Sequence, residues 1–446
     1  MSPTPCLNPG YPADDEIEVF HNMLLMIWLV AFLYHILPPA IAFSTTDPPQ
    51  KKNDIHHIPS LGGITSILSS PHVPSSDTST YFIGTKRGKI KQVNIPIDLN
   101  RVQSTNDNIL QTIQIENIED ANGKIIKPYP IFSLLDCEMS NNHNILAGGG
   151  DRYITVWRQN EQGEWIVVDQ LGPHTGWVKD LATCSCSSFD SEEDTHMYLF
   201  SIGCNCIEVW CTIDGKYKHV HKLQIDSSVE LGCTLSSDLL CLATYADECS
   251  NSKEKNYIFA GGVDGRIHRW SIHSSSNDKF LSAGSFSAHN GRVNGLTVCR
   301  SMGVLVSIGS DGYVHCRLMD SSNHPSKWKV VSLDISDYFR KDNDTISSQR
   351  KATSLCIVYE ESRSSIVCVG TSCGYLVLIN IDKSDDDVIH AFFNDVEIAS
   401  EEVEGTVVIH ALCSNQYEDY SRILIGHSNG LSICNVPIRS SEYKLT

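Results

Sequence analysis

Residues 257–270 read Tyr-Ile-Phe-Ala-Gly-Gly-Val-Asp-Gly-Arg-Ile-His-Arg-Trp, and looser versions of this stretch occur six more times in the 446-residue chain. An apolar run ending in small residues, then Asp264-Gly265, then alternation from Ile267 to Trp270 spells strand, tight turn, strand. Asp-Gly supplies the positive φ that a short hairpin turn requires. The other copies begin at Tyr81, Ile145, Tyr198, Val304, Ile366 and Ile423. A single hairpin cannot bury its apolar faces alone, so seven of them must stack on one another.

The copies recur about every fifty to sixty residues, beyond the roughly 40 to 45 of a four-stranded propeller blade. The surplus falls in polar loops at 100–128, 187–196, 245–256, 336–351 and the acidic 383–404. No long amphipathic helical pattern interrupts the short β-branched and aromatic runs. The expectation is an all-β fold over 55–446, a seven-bladed β-propeller of four-stranded antiparallel blades, preceded by an N-terminal hydrophobic helix. Closure calls for a fourth strand at the last blade's open edge, from the segment near 55–58 or from the tail 441–446.

Ahead of the repeats, residues 1–22 carry Asp14, Asp15, Glu16 and Glu18 with no Lys or Arg, the composition of a disordered leader. Residues 23–43 are apolar from Met23 to Leu37, then Pro38-Pro39 and Ala40-Ile-Ala42, and 44–54 form a linker. A cleaved signal peptide suits the Ala-x-Ala site and leaves Phe43 first, with Met23 as an alternative start. A retained anchor over 24–43 suits the length, and Lys51-Lys52 after it would place the repeats in the cytosol. Ala-Phe at 42–43 also resembles the junction of bipartite plastid-targeting presequences. Membrane association or secretory routing is therefore expected, with a plastid or, if the segment is unused, the cytosol as alternatives.

A net charge of −19 argues against nucleic acid as partner, since phosphate binding needs clustered cations and the one basic run, 86–91, is short. The 17 cysteines fall mostly in strand runs, where a free thiol acts as a small buried hydrophobe. The pairs Cys184/Cys186 and Cys204/Cys206 would stand a strand length apart, too far for one tetrahedral ion. No metal or cofactor is expected. Ser372 and Ser428 each sit in Gly-x-Ser-x-Gly. A nucleophile elbow needs a helix after the serine, and here a second strand follows both. No catalytic residue is assigned; the alternative is an enzyme or ligand-binding propeller with polar groups at its channel mouth.

Gly-x-Asp-Gly-x-Ile-x-x-Trp, with His174-Thr-Gly-Trp-Val and His289-Asn-Gly-Arg-Val ahead of two copies, resembles the WD-repeat family. The resemblance implies blades braced by a hydrogen-bonded tetrad: a loop His, a turn Asp, a second-strand Ser or Thr and a third-strand Trp. On this chain those positions correspond to His174 with Trp210, His289 with Asp311, Asp264 with Trp270, and Trp157. None is complete: Asn205 lies near the Asp position of one blade, and Cys316 is read at the Trp position of another. The resemblance also implies a non-catalytic scaffold that binds other proteins through the face bearing the hairpin turns. Trp177 and Arg292 occupy equivalent places there, with Arg152, Arg266 and Tyr313 nearby. Trp and Arg are the types that most often dominate interfaces.

Overall fold

The computed structural model describes residues 56–58, 63–75, 78–97, 109–114, 129–139, 142–187, 195–213, 215–225, 238–246, 256–272, 280–319, 325–339, 351–384, 388–393, 408–417 and 419–438. The stretch 23–43, and with it the expected helix, lies outside these residues. Among the described residues no helix is long and apolar enough to cross a membrane.

Every hairpin read from the sequence is the second and third strand of a four-stranded antiparallel sheet. β1 (His56–Ile58) stands apart in the chain order. Blade 1 is β2 (Ile64–Ser75), β3 (Thr78–Thr85), β4 (Lys89–Pro96) and β5 (Ile109–Gln114). Blade 2 is β6 (Ile131–Met139), β7 (Asn142–Gly149), β8 (Ile154–Gln159) and β9 (Trp165–Leu171). Blade 3 is β10 (Val178–Ser187), β11 (Thr195–Gly203), β12 (Cys206–Ile213) and β13 (Lys216–Gln224). Blade 4 is β14 (Leu239–Ala246), β15 (Asn256–Gly262), β16 (Arg266–Ile272) and β17 (Phe280–Ser287). Blade 5 is β18 (Val293–Cys299), β19 (Val304–Gly309), β20 (Tyr313–Leu318) and β21 (Lys329–Asp334), followed by the short helix α1 (Ile335–Phe339). Blade 6 is β22 (Ala352–Glu360), β23 (Ser364–Thr371), β24 (Leu376–Lys383) and β25 (Ile389–Phe393). Blade 7 takes β26 (Ile409–Gln416), β27 (Tyr420–His427) and β28 (Gly430–Pro437) from the end of the chain and β1 from its start. Of the two closures considered, the N-terminal one is used: His56 pairs with Ile433 and Ile58 with Leu431.

The turns form as their residues dictate. Asp264 Oδ1 accepts the Arg266 N–H at 3.0 Å while Gly265 takes φ 80°. Asp311 and Gly312 repeat the device, with Tyr313 N–H 3.2 Å from Asp311 Oδ1. At Asp151 the carboxylate accepts Tyr153 N–H at 3.1 Å, but Arg152 occupies the glycine place at φ 71°. In blades 1 and 6 a threonine does the work of aspartate, Thr85 for Lys89 and Thr371 for Tyr375.

First strands of successive blades pack side by side, and β26 packs on β2 to close the ring. The buried apolar residues divide into seven clusters, each bridging two neighbouring blades. Blade stability therefore resides mainly at the seams. Close approach there explains a recurring glycine on the second strand. A Cβ at Gly148, Gly261, Gly370 or Gly426 would lie 2.6 Å from Val178, Val293, Ile409 or Ile64 of the next blade.

The closing seam carries a buried cation. Arg422, at 0% exposure, donates through Nη1 to the Pro96 carbonyl (2.8 Å), through Nη2 to the Ile97 carbonyl (2.6 Å) and through Nε to Asn435 Oδ1 (3.1 Å). Its guanidinium also sits 5.4 Å from the Tyr417 ring centre and 6.0 Å from that of Tyr420. One side chain of blade 7 thus holds the end of the third strand of blade 1.

Candidate functional site

In an antiparallel blade the loop entering the first strand and the turn joining the second and third lie at the same end. Hydrogen bonds join these elements: Ser310 N–H donates to the Arg292 carbonyl at 2.9 Å, and Ser372 N–H to the Lys351 carbonyl at 2.9 Å. Both Gly-x-Ser-x-Gly serines lie in such turns, between β23 and β24 and between β27 and β28, with no helix following.

The bracing tetrads are present in part. In blade 3, Trp210 donates its indole N–H to Ser201 Oγ (3.0 Å), and His174 Nε2 lies 2.8 Å from the same oxygen. No aspartate completes the set; instead His174 Nδ1–H donates to the carbonyl of Arg152, 3.1 Å away in the turn of blade 2. Burial pushes the His174 ring below its ordinary pKa, despite that bond. In blade 5, His289 Nδ1–H donates to Asp311 (3.0 Å) and Nε2 accepts from Ser307 (3.0 Å). Burial works against the Asp311 charge, but the His289 ring and the N–H groups of Asn290 and Tyr313 outweigh it and hold its pKa at about 2.

One residue assignment is corrected. Trp210 faces Leu199 and Trp270 faces Ile258, whereas the residue facing Leu305 in blade 5 is Arg317. Cys316 is one residue off, and strand alternation puts its side chain on the other face of the sheet. Arg317 replaces the indole chemically as well, donating from Nη1 to Ser307 Oγ at 3.0 Å. In blades 2 and 4 alanines, Ala147 and Ala260, stand where Ser201 and Ser307 stand. Accordingly the buried Trp157 Nε1 has no partner among the described residues.

The five residues read as docking candidates all lie on the hairpin face, in different circumstances. Trp177 precedes β10, is 54% exposed and stacks on Phe132 with ring centres 5.6 Å apart. Lys179 Nζ lies 4.1 Å from the Phe132 ring centre and 4.5 Å from that of Trp177. Arg292 precedes β18 at the equivalent register and is exposed. Arg152 projects from its turn, also exposed. Arg266 is tied back to Ser285 Oγ at 3.0 Å. Tyr313 is 38% exposed and stacks on His315, ring centres 5.9 Å apart.

Phe132 and Lys179 were missed, although both directly follow the first core residue of their blade, Ile131 and Val178. Setting those two residues in line would have found them. The same alignment puts Asp238, Arg292 and Lys351, all exposed, before β14, β18 and β22. Lys86, in the blade 1 turn, reaches His410 Nε2 on β26 at 3.2 Å. Burial lowers the Lys179 pKa; Asp238 opposes that shift and Arg292 adds to it, so these charges lie within electrostatic reach of one another. Lys86, Lys179, Arg292 and Lys351, with Asp238 among them, thus stand at this same end of the blades in a chain of net charge −19.

No protein-family model and no curated protein sequence matches this chain. Solved structures do. U3-55K is similar with a TM-score of 0.55 at 15% identity, over 86% of this chain and 98% of that one. The WD40 repeats of RRP9 are similar with a TM-score of 0.54 at 14% identity, over 86% and 97%. At such identities the likeness concerns fold alone: the chain folds as a seven-bladed β-propeller of four-stranded antiparallel blades, similar in fold to these two WD40-repeat structures.

Proposed function

We propose that this propeller is a protein-docking scaffold whose hairpin face receives an acidic segment carrying an apolar side chain. The observation that carries this reading is the exposed Trp177 stacked on Phe132 with Lys179 against both rings. An exposed tryptophan held rigidly by a neighbour loses little entropy when a partner covers it. The cations Lys86, Lys179, Arg292 and Lys351 favour carboxylates on that partner. A long polyanion such as nucleic acid would meet the rest of an acidic surface, whereas a short acidic segment touches only this end.

Replacing Trp177 and Arg292 together by alanine is expected to weaken capture of the partner from native extract at least tenfold. Both side chains are exposed, so thermal unfolding should move little. Undiminished capture would remove the hairpin face from the reading.

The propeller is further proposed to reach its partner on a membrane-associated or secretory route through residues 24–43. Sequencing the N-terminus of the protein from its native cell is expected to start at Phe43 if the segment is a cleaved signal. A retained Met1 in a fraction that needs no detergent would contradict both cleavage and anchoring.

A further inference from the structure

The docking reading leaves one polar cluster unused. His289 and Asp311 brace blade 5, but His315 beside them has no part in that bracing. By register it faces Ser307, the place held by Glu208, His268 and Thr155 in blades 3, 4 and 2. Its ring centre lies 4.5 Å from that of His289. One nitrogen of each imidazole and one Asp311 oxygen all lie within 4.8 Å of one another.

We propose that His289, Asp311 and His315 bind a divalent transition-metal cation of the zinc class. Two imidazoles and a carboxylate form a donor set that zinc and its neighbours accept, at metal–nitrogen distances of about 2.0–2.1 Å. Tetrahedral ligands at that length stand about 3.3 Å apart, so a pair at the outer limit of 4.8 Å would close by no more than roughly 1.5 Å. His289 Nδ1 and Asp311 Oδ1 are already 3.0 Å apart. His315 keeps Nδ1 2.7 Å from Ser332 Oγ, leaving Nε2 for the cation.

Ser307 and Arg317 stand ready to support the exchange. Coordination through Nδ1 of His289 moves the imidazole proton to Nε2, which then donates to Ser307 Oγ, 3.0 Å away. Ser307 Oγ already accepts from Arg317, so the hydroxyl proton turns elsewhere. Three protein ligands leave at least one coordination position to water or to a group of a docked partner. The site lies beside Tyr313, on the face proposed for docking, but it does not depend on that reading.

The full chain, stripped of metal and kept reduced, is titrated with Co(II) and Zn(II). Wild type is expected to show cobalt bands of a nitrogen and oxygen set without thiolate charge transfer. His315→Ala should weaken zinc binding at least about tenfold while leaving metal-free unfolding unchanged. His315→Gln keeps a hydrogen-bonding group for Ser332 and should show the same loss, which covers the case of a misfolded alanine variant. No binding by wild type, equal binding by either variant, or cobalt bands dominated by thiolate would overturn the site.

Discussion

Replacing Arg422 by alanine is expected to lower the free energy of unfolding by about 3–5 kcal/mol, a loss seldom reached by one substitution. Two carbonyls, at Pro96 and Ile97, and the Asn435 amide oxygen lose their donor inside the closing seam. A cavity beneath Tyr417 and Tyr420 adds to the cost. For a propeller of this size the loss corresponds to about 4–6 °C in Tm. Arg422→Lys should recover only part of it, because one ammonium cannot reproduce the guanidinium fork that spans all three acceptors. Chemical denaturation of the three proteins checks the order. A change below about 1 kcal/mol for alanine would mean that this seam holds without its cation.

Asp180 is expected to show the second large effect, with a distinctive pH dependence. It lies on β10 and joins three blades. Ser133 of blade 2 donates to it at 3.1 Å, Leu181 N–H at 2.9 Å and Leu242 N–H of blade 4 at 2.8 Å. Burial pushes its pKa up to about 6 against those three donors. The unfolded carboxyl titrates near 3.9. The folded chain therefore holds a proton that the unfolded chain has lost between about pH 4 and 6. Stability from this group is full below that window and falls as pH rises through it, on the order of 2–3 kcal/mol in all. Asp180→Ala leaves three donors without an acceptor and should cost about 2–4 kcal/mol near pH 4.5. The difference from wild type should shrink toward pH 7, where wild type itself bears a poorly solvated charge. Unfolding measured for both proteins across this range tests the sign, and a difference that grows with pH would contradict it.

The hairpins were legible because each depends on residues adjacent in sequence. Asp264-Gly265 and Asp311-Gly312 encode their turns locally, and all seven copies found from the sequence became second and third strands. The Arg317 position was legible too: it lies six residues after Asp311, as Trp270 lies six after Asp264. Cys316 lies one residue earlier, and the strand alternation that brings Arg317 to Ser307 turns the Cys316 side chain to the other face. Asp180 and Arg422 were not legible, since what makes them important is supplied by other blades, Leu242 for one and Pro96 and Ile97 for the other. The docking face was half legible. Trp177 and Arg292 share a visible Gly-x-Val frame, while Phe132 meets Trp177 only because two first strands lie side by side.

Photo-crosslinking tests the docking face most directly. A benzophenone side chain at position 177 is compared with one at Glu161, in the turn between β8 and β9 at the opposite end of the blade. The partner is expected to be captured from position 177 and not from 161. Capture from 161 alone would place docking on the other face and contradict that expectation.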